Sequence, residues 1–246
     1  MRSSSKSAAS TARLVRPEHL DELPPHDPRA GRSRRDLRRV HRVMGSLQIL
    51  VGAITRLDIR VSPRRILELG GGDGTLLLRL LRAMRGTWLG GDVSLLDKQD
   101  LLSTATRREF AALGWNVETL RTDAIEWARS ATREQYDLCL TNLFLHHFRP
   151  RALAELLAAI ESRTGAFIAC EPRRNTLSRV GSRLLFLLGA NDVTRHDAAI
   201  SVDAGFAALE LTGLWPAGCG TWHIEEYFAR PFTHCFAGRR SRSFRS

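Results

Sequence analysis

The segment Arg65–Leu81, RILELGGGDGTLLLRLL, constrains the fold more than any other part of the sequence. Residues up to Leu69 have the length and composition of a buried strand, and Thr75–Leu81 repeats leucine at helical spacing. Gly70, Gly71, Gly72 and Gly74 lie between, so strand passes into helix through a turn where backbone amides can approach a ligand closely. The alternation continues downstream. Strands are predicted at Arg65–Leu69, Thr87–Asp92, Asn116–Arg121, Tyr136–Asn142 and Ala166–Glu171, with helices at Thr75–Met84, Asp97–Leu113, Ala124–Ser130 and Arg151–Arg163. This order predicts a parallel sheet covered on both faces, with right-handed crossovers. Thr221–Ala229 and Phe232–Arg239 then read as a closing antiparallel pair. The expected fold is a doubly wound α/β domain of seven strands, mostly parallel with an antiparallel C-terminal strand, plus an N-terminal helical extension.

In such a sheet the ligand lies beyond the carboxyl ends of the strands, where the first strand–helix turn lines it. A P-loop needs a lysine after its last glycine, and none is near. The dinucleotide spacing G-x-G-x-x-G fails because Thr75 stands where the third glycine belongs, and Asp73 would repel a pyrophosphate. The spacing that fits is Glu68-x-Gly70-x-Gly72-x-Gly74. It resembles motif I of the class I S-adenosylmethionine-dependent methyltransferases, whose fold is Rossmann-like. The resemblance implies S-adenosylmethionine as cofactor, with Glu68 at its amino-acid end, Gly70, Gly71 and Gly72 as the floor, and Gly74 opening the helix. An acid ending the second strand should hold the ribose diol. Asp92, closing TWLGGD, is the candidate, with Asp97 as a fallback or a helix cap. By resemblance Asp123 and Ala124 contact the adenine. Asp123 reads equally as the N-cap of the helix it precedes.

YDLCLTNLFLHHF, Tyr136–Phe148, is similar to the fourth strand of methyltransferases acting on small molecules, including the ubiquinone/menaquinone group. There the strand ends in a loop bearing one or two histidines beside the methyl donor. Asn142 joins the cofactor-binding set on this basis. Asn142-Leu-Phe replaces the proline-aromatic tetrad of amino-methylating nucleic-acid enzymes, which argues against a base as acceptor. The resemblance covers roughly residues 60–175. An oxygen or activated-carbon acceptor must lose a proton, so His146, His147 and His196 are the catalytic candidates. Adjacent residues are expected to point apart, leaving at most one of His146 and His147 facing the acceptor. No metal-ligand partners at suitable spacing are found. Glu171, Arg195 and Asp197 are the substrate-binding candidates, the last two within a loop, GANDVTRHDAA. The tail from EPRRN to HCFAGRR is similar to bacterial methyltransferases of polyketide or other aromatic pathways.

The expected organisation is a disordered or extended basic tail over 1–32 and a helix or lid over 33–58, capped by Ser33 and running to Leu57. A methyltransferase domain follows over 59–246, with an acceptor-lid insertion at about 173–205 that includes a helix from Leu177 to about Leu188. Residues 1–64 carry fourteen Lys or Arg and six Asp or Glu, so +8 of the +11 net charge lies there. That offers an anchor for RNA, although lysine occurs only at 6 and 98, a bias that favours a solvated arginine-rich face. A small-molecule acceptor is the expected partner, with no specific nucleic acid. A non-catalytic binding module is the third reading. Cys139, Cys170, Cys219 and Cys235 show no paired spacing and read as structural. The longest apolar run, 184–190, is far short of the roughly 20 residues that span a membrane. No secretory pattern opens the chain, so a cytoplasmic protein is expected, its oligomeric state open and a homodimer admissible.

Overall fold

The computed structural model describes residues 12–24, 27–185, 189–216 and 222–241. Seven strands form one sheet: β1 (Arg65–Leu69), β2 (Gly91–Asp97), β3 (Trp115–Arg121), β4 (Leu138–Asn142), β5 (Ala166–Pro172), β6 (Trp222–Arg230) and β7 (Thr233–Arg240). Their order is β3-β2-β1-β4-β5-β7-β6, and only β7 runs antiparallel to its neighbours. The order reverses between β1 and β4, which is where the glycine turn leaves β1.

The helices are α1 (His19–Glu22), α2 (Pro28–Met44), α3 (Ser46–Arg56), α4 (Thr75–Ala83), α5 (Thr104–Ala112), α6 (Ala124–Arg129), α7 (Pro150–Arg163), α8 (Thr176–Arg183), α9 (Asp192–Ala204) and α10 (Glu210–Leu214). One sheet face is covered by α3, α4 and Phe110 of α5, the other by α6, α7 and Leu211 of α10. Strand periodicity sorts the residues: Ile66 enters the first core, Leu67 and Leu69 the second. α9 packs on α8, α1 and α2, and these four lie over the carboxyl ends of the strands.

Three expectations need correction. The helix expected over Ser33–Leu57 is two helices, because Gly45 takes a left-handed φ of 70° and its N–H bonds back to Arg42 and His41 carbonyls. Asp27 caps α2, accepting from Arg29 N at 2.7 Å with Pro28 in the first position, so Ser33 is interior. The second strand is not Thr87–Asp92 but starts at Gly91, whose bare Cα sits against the Arg64 carbonyl where a Cβ would be only 2.2 Å away. GANDVTRHDAA, expected as a loop, begins α9, with Asn191 capping through Thr194 N at 2.8 Å. Residues 17–31 contain α1 and the start of α2, while 12–18 run without regular structure. The expected disorder of the first eleven residues, Cys219, Thr221 and part of the 177–188 helix lie outside the described residues. Cys139, Cys170 and Cys235 are buried and free.

The break at Gly45 separates two jobs. α3 buries Ile49, Leu50, Ala53 and Ile54 in the core. α2 buries Ala30, Ser33 and Asp36, the last two bonded to α9 and its cap. Accordingly, deleting residues 1–44 should leave cooperative urea unfolding, and deleting 1–57 should abolish it. Ile54→Ala should cost about 2–5 kcal/mol in the same measurement.

Candidate active site

A cavity of about 930 Å³ opens at the switch point between β1 and β4. Its floor is the glycine turn. Gly70 takes φ +69°, and a Cβ there would lie 2.4 Å from the Phe144 ring, so this position admits no side chain. Gly72 takes φ +53° with open space above it. Glu68 lies beneath, 6 % exposed, and its Oε2 is buried without a hydrogen-bond partner among the described residues. Burial, reinforced by the nearby Asp73 and Asp97 carboxylates, pushes its pKa up to about 8.

Asp92 does not reach this cavity. It pairs in register with Arg65, at the opposite end of β1 from the glycines, and accepts from Asn116 Nδ2 at 3.1 Å. Asp97 takes its place, because β2 starts at Gly91 and ends on this residue. Its Oδ2 accepts from Gly72 N at 3.1 Å and its Oδ1 from Gln99 N at 2.9 Å. It caps no helix, since Ser103 caps α5. Asp123 caps α6 through Ile125 N at 2.7 Å, pairs with Lys98 at 3.0 Å, and also lines the cavity with Ala124. The two readings of Asp123 therefore coexist geometrically.

The far wall is built by Glu171. Leu143, after β4, adopts φ +53°, a strained turn for a side-chain-bearing residue. That turn aims the N–H groups of Phe144, Leu145 and His146 at the Glu171 carboxylate, at 3.1, 2.9 and 3.3 Å. Thr141 Oγ1 donates as well, at 3.1 Å, and His146 Nδ1 lies 2.8 Å away. Glu171 is wholly buried and is not part of the cavity wall, so it organises the wall rather than contacting an acceptor. His146 bridges onward from Nε2 to Glu18 Oε1 at 3.3 Å. Burial alone would depress this imidazole, but the two carboxylates outweigh it and raise its pKa to about 9. Burial works against both carboxylates too, and the His146 bonds nonetheless hold them below the usual range. With both ring nitrogens engaged and the ring protonated at neutral pH, His146 is no general base in this arrangement.

Both neighbouring histidines line the cavity, against the expectation that they diverge. They sit on a 3-10 turn, Leu145–His147, with ring centroids 4.3 Å apart and planes tilted by 32°. The alternation of a strand does not apply there. His196 lies outside the cavity wall, its side chain about half exposed and its ring stacked on His19 with centroids 4.0 Å apart. Arg195 likewise points away and pairs with Asp192 at 3.4 Å. Asp197 lines the cavity, but its two oxygens accept from His19 N and Leu20 N at 2.9 and 3.0 Å. It anchors the N-terminal arm.

That arm and α2 supply residues the sequence did not single out. Arg13 donates to the Ala204 carbonyl at 2.8 Å, and Glu18 reaches His146 from 128 residues away. On α2, Arg38 pairs with Asp73 at 2.9 Å. His41 lies 3.2 Å from Asn142 Nδ2, neutral because burial lowers its pKa to about 4. Asn142 Oδ1 is buried without a partner among the described residues. Leu37, Val40 and Met44 share the helix face of Arg38 and His41 and roof the cavity, so the face was readable from spacing once one member was placed.

The family described as "Methyltransferase domain" matches residues 66–164, which hold the glycine turn, Asp97, Asp123 and the histidine turn. Residues 66–164 thus resemble a methyltransferase domain. A search of curated proteins finds no match. Among solved structures, an O-methyltransferase family protein from Burkholderia thailandensis superposes with TM-score 0.57 at 20% identity, over 88% of this chain and 61% of that one. The chain thus spans less than two thirds of that relative's length. A plantazolicin methyltransferase, BpumL, solved with S-adenosylhomocysteine, gives TM-score 0.60 at 14% identity, over 87% and 91% of the two chains. The magnesium protoporphyrin IX methyltransferase of Synechocystis PCC 6803, also solved with that product, gives 0.53 at 14%, over 84% and 86%. At these identities the likeness is one of fold.

The cavity fits S-adenosylmethionine on its own chemistry. The unpartnered Glu68 oxygen suits a cationic amino-acid end, and the open space above Gly72 admits close backbone approach. A cation that binds beside Glu68 favours its ionised form. S-adenosylmethionine affinity should therefore rise with pH up to about 8 and flatten above it, with up to one proton released per ligand bound below that pH. Calorimetry in buffers of differing ionisation heat measures this release. Glu68→Gln should weaken binding and remove the pH dependence.

Proposed function

We propose that this methyltransferase transfers a methyl group from S-adenosylmethionine to the oxygen or activated ring carbon of a small, largely apolar acceptor. The observation that carries this is the single cavity running from the glycine turn to His147 beneath the apolar face of α2. Its volume lies near the top of the range for small-molecule sites, about 300–1,000 Å³, which suits donor and acceptor side by side. S-adenosylmethionine brings a methyl group already bonded to a positively charged leaving group. The chain therefore aligns the acceptor and excludes water. Glu68 and Asp97 take the amino-acid and ribose ends, and Asp123 and Ala124 the adenine. His147 is assigned to the acceptor oxygen, with His146 positioning it from behind.

Phe144, Phe148 and the roof residues favour a flat acceptor with an ionisable hydroxyl, of the phenolic, quinol or polyketide kind found in secondary metabolism. The structural relatives, named as an O-methyltransferase and as enzymes for plantazolicin and a porphyrin, support a small-molecule or natural-product acceptor. Three arginines of α2, Arg34, Arg38 and Arg39, are bonded to Gln99, Asp73 and Asp36, which weighs against a nucleic-acid row. No helix among the described residues is long and apolar enough to cross a membrane, in keeping with the cytoplasmic site we propose.

The test is incubation with labelled methyl donor and a panel of phenols and quinols. We expect a labelled product, and His147→Ala should lower kcat by about 10²–10⁴-fold with S-adenosylhomocysteine affinity unchanged. Undiminished turnover in that variant would remove His147 from its role. Label transfer to RNA but to no small molecule would overturn the acceptor class.

A further inference from the structure

A divalent transition cation needs donors converging on one point, an outer shell that orients them, and a position left for a ligand. Glu18, His146 and His147 each place one donor atom within 4.8 Å of the others. His146 Nε2 and Glu18 Oε1 are 3.3 Å apart. Two donors each about 2.05 Å from a tetrahedral ion stand about 3.3 Å from one another, so this edge needs little adjustment. The outer shell is also built. Glu171 Oε2 lies 2.8 Å from His146 Nδ1, which directs the other ring nitrogen toward Glu18. Ser201 Oγ donates to that Glu18 oxygen. The 3-10 turn keeps the two imidazoles side by side, and all three residues line the cavity.

We propose that Glu18, His146 and His147 form a site for one zinc-class divalent cation, open on its fourth side to the acceptor cavity. Binding would release to solvent the proton that His146 Nε2 otherwise donates to Glu18. Two imidazoles and one carboxylate suit such an ion and not magnesium or calcium, which prefer oxygen donors throughout. The local sequence shows only the histidine pair. The third donor comes from the N-terminal arm, so the set exists only in the folded chain. An acceptor hydroxyl in the fourth position would lose its proton to solvent more readily. Its oxygen lone pair would then form the bond to the methyl carbon, while the electrons of the breaking carbon–sulfur bond stay on sulfur as a neutral thioether. This use of the ion rests on the acceptor reading given above, with His147 then holding the ion instead of taking the proton itself. Its binding does not.

Full-length protein, dialysed against chelator, is titrated with Zn²⁺ by calorimetry and with Co²⁺ by visible absorption. We expect one equivalent and the intense bands of a tetrahedral cobalt site. Glu18→Gln and His147→Ala should each lose that binding, and Glu171→Gln should weaken it by about 10- to 100-fold. S-adenosylhomocysteine binding identifies the variants that remain folded, and either of the first two suffices. His196→Ala should leave the stoichiometry intact, because the neighbouring group His19, His196 and Asp197 already spends both Asp197 oxygens on backbone N–H groups. No stoichiometric binding by the wild type overturns the site. So does binding that survives both Glu18→Gln and His147→Ala, or binding lost in His196→Ala alone. Stoichiometric zinc without methyl transfer to any acceptor upholds the site and overturns its use.

Discussion

The carboxylate of Glu171, wholly buried at the end of β5, is the interaction on which the far wall of the cavity depends. An isolated buried charge is expensive, and this one is met by three successive backbone N–H groups, the Thr141 hydroxyl and His146. Those contacts hold the strained turn at Leu143 and place the two histidines together. Through His146 the same charge reaches Glu18, and so fixes the arm that closes the cavity.

The donor half rests on a different principle. Its shape is backbone geometry: glycines with positive φ, the ends of β1 and β2, and the cap of α6. Its one costly element is Glu68, held without a partner for Oε2 in a dry position. Such a group destabilises the empty fold, and the cationic end of the proposed cofactor would satisfy it.

This division explains what could be read from the sequence. Local signals carried the strand–glycine–helix turn, the sheet, the position of Asp123 and the histidine pair. Asp92 was misplaced because Trp88 and Leu89 look like strand residues, whereas the Gly90-Gly91 pair shifts the strand forward to end at Asp97. His196 and Arg195 look functional in a polar cluster, yet the helix that the cluster forms turns them outward. Glu171 stands at the right end of the sheet but points into the protein. Nothing near Glu18 announces its role, because its meaning comes from a residue 128 positions away. Gly45 is a plain glycine in an apolar-periodic run, and only the change from polar to apolar burial on either side shows it to be a boundary.

The sequence separation of these contacts also orders assembly. The glycine turn, β2 and α6 lie within one stretch of chain, so a donor pocket can form from neighbouring segments. The arm is different: Glu18 waits for His146, and His19 and Leu20 for Asp197, which lies 178 and 177 positions further on. Such distant closures come late in folding. The floor of the cavity therefore draws on one contiguous stretch of chain, whereas its far wall is closed only by joining residues from opposite ends of the sequence.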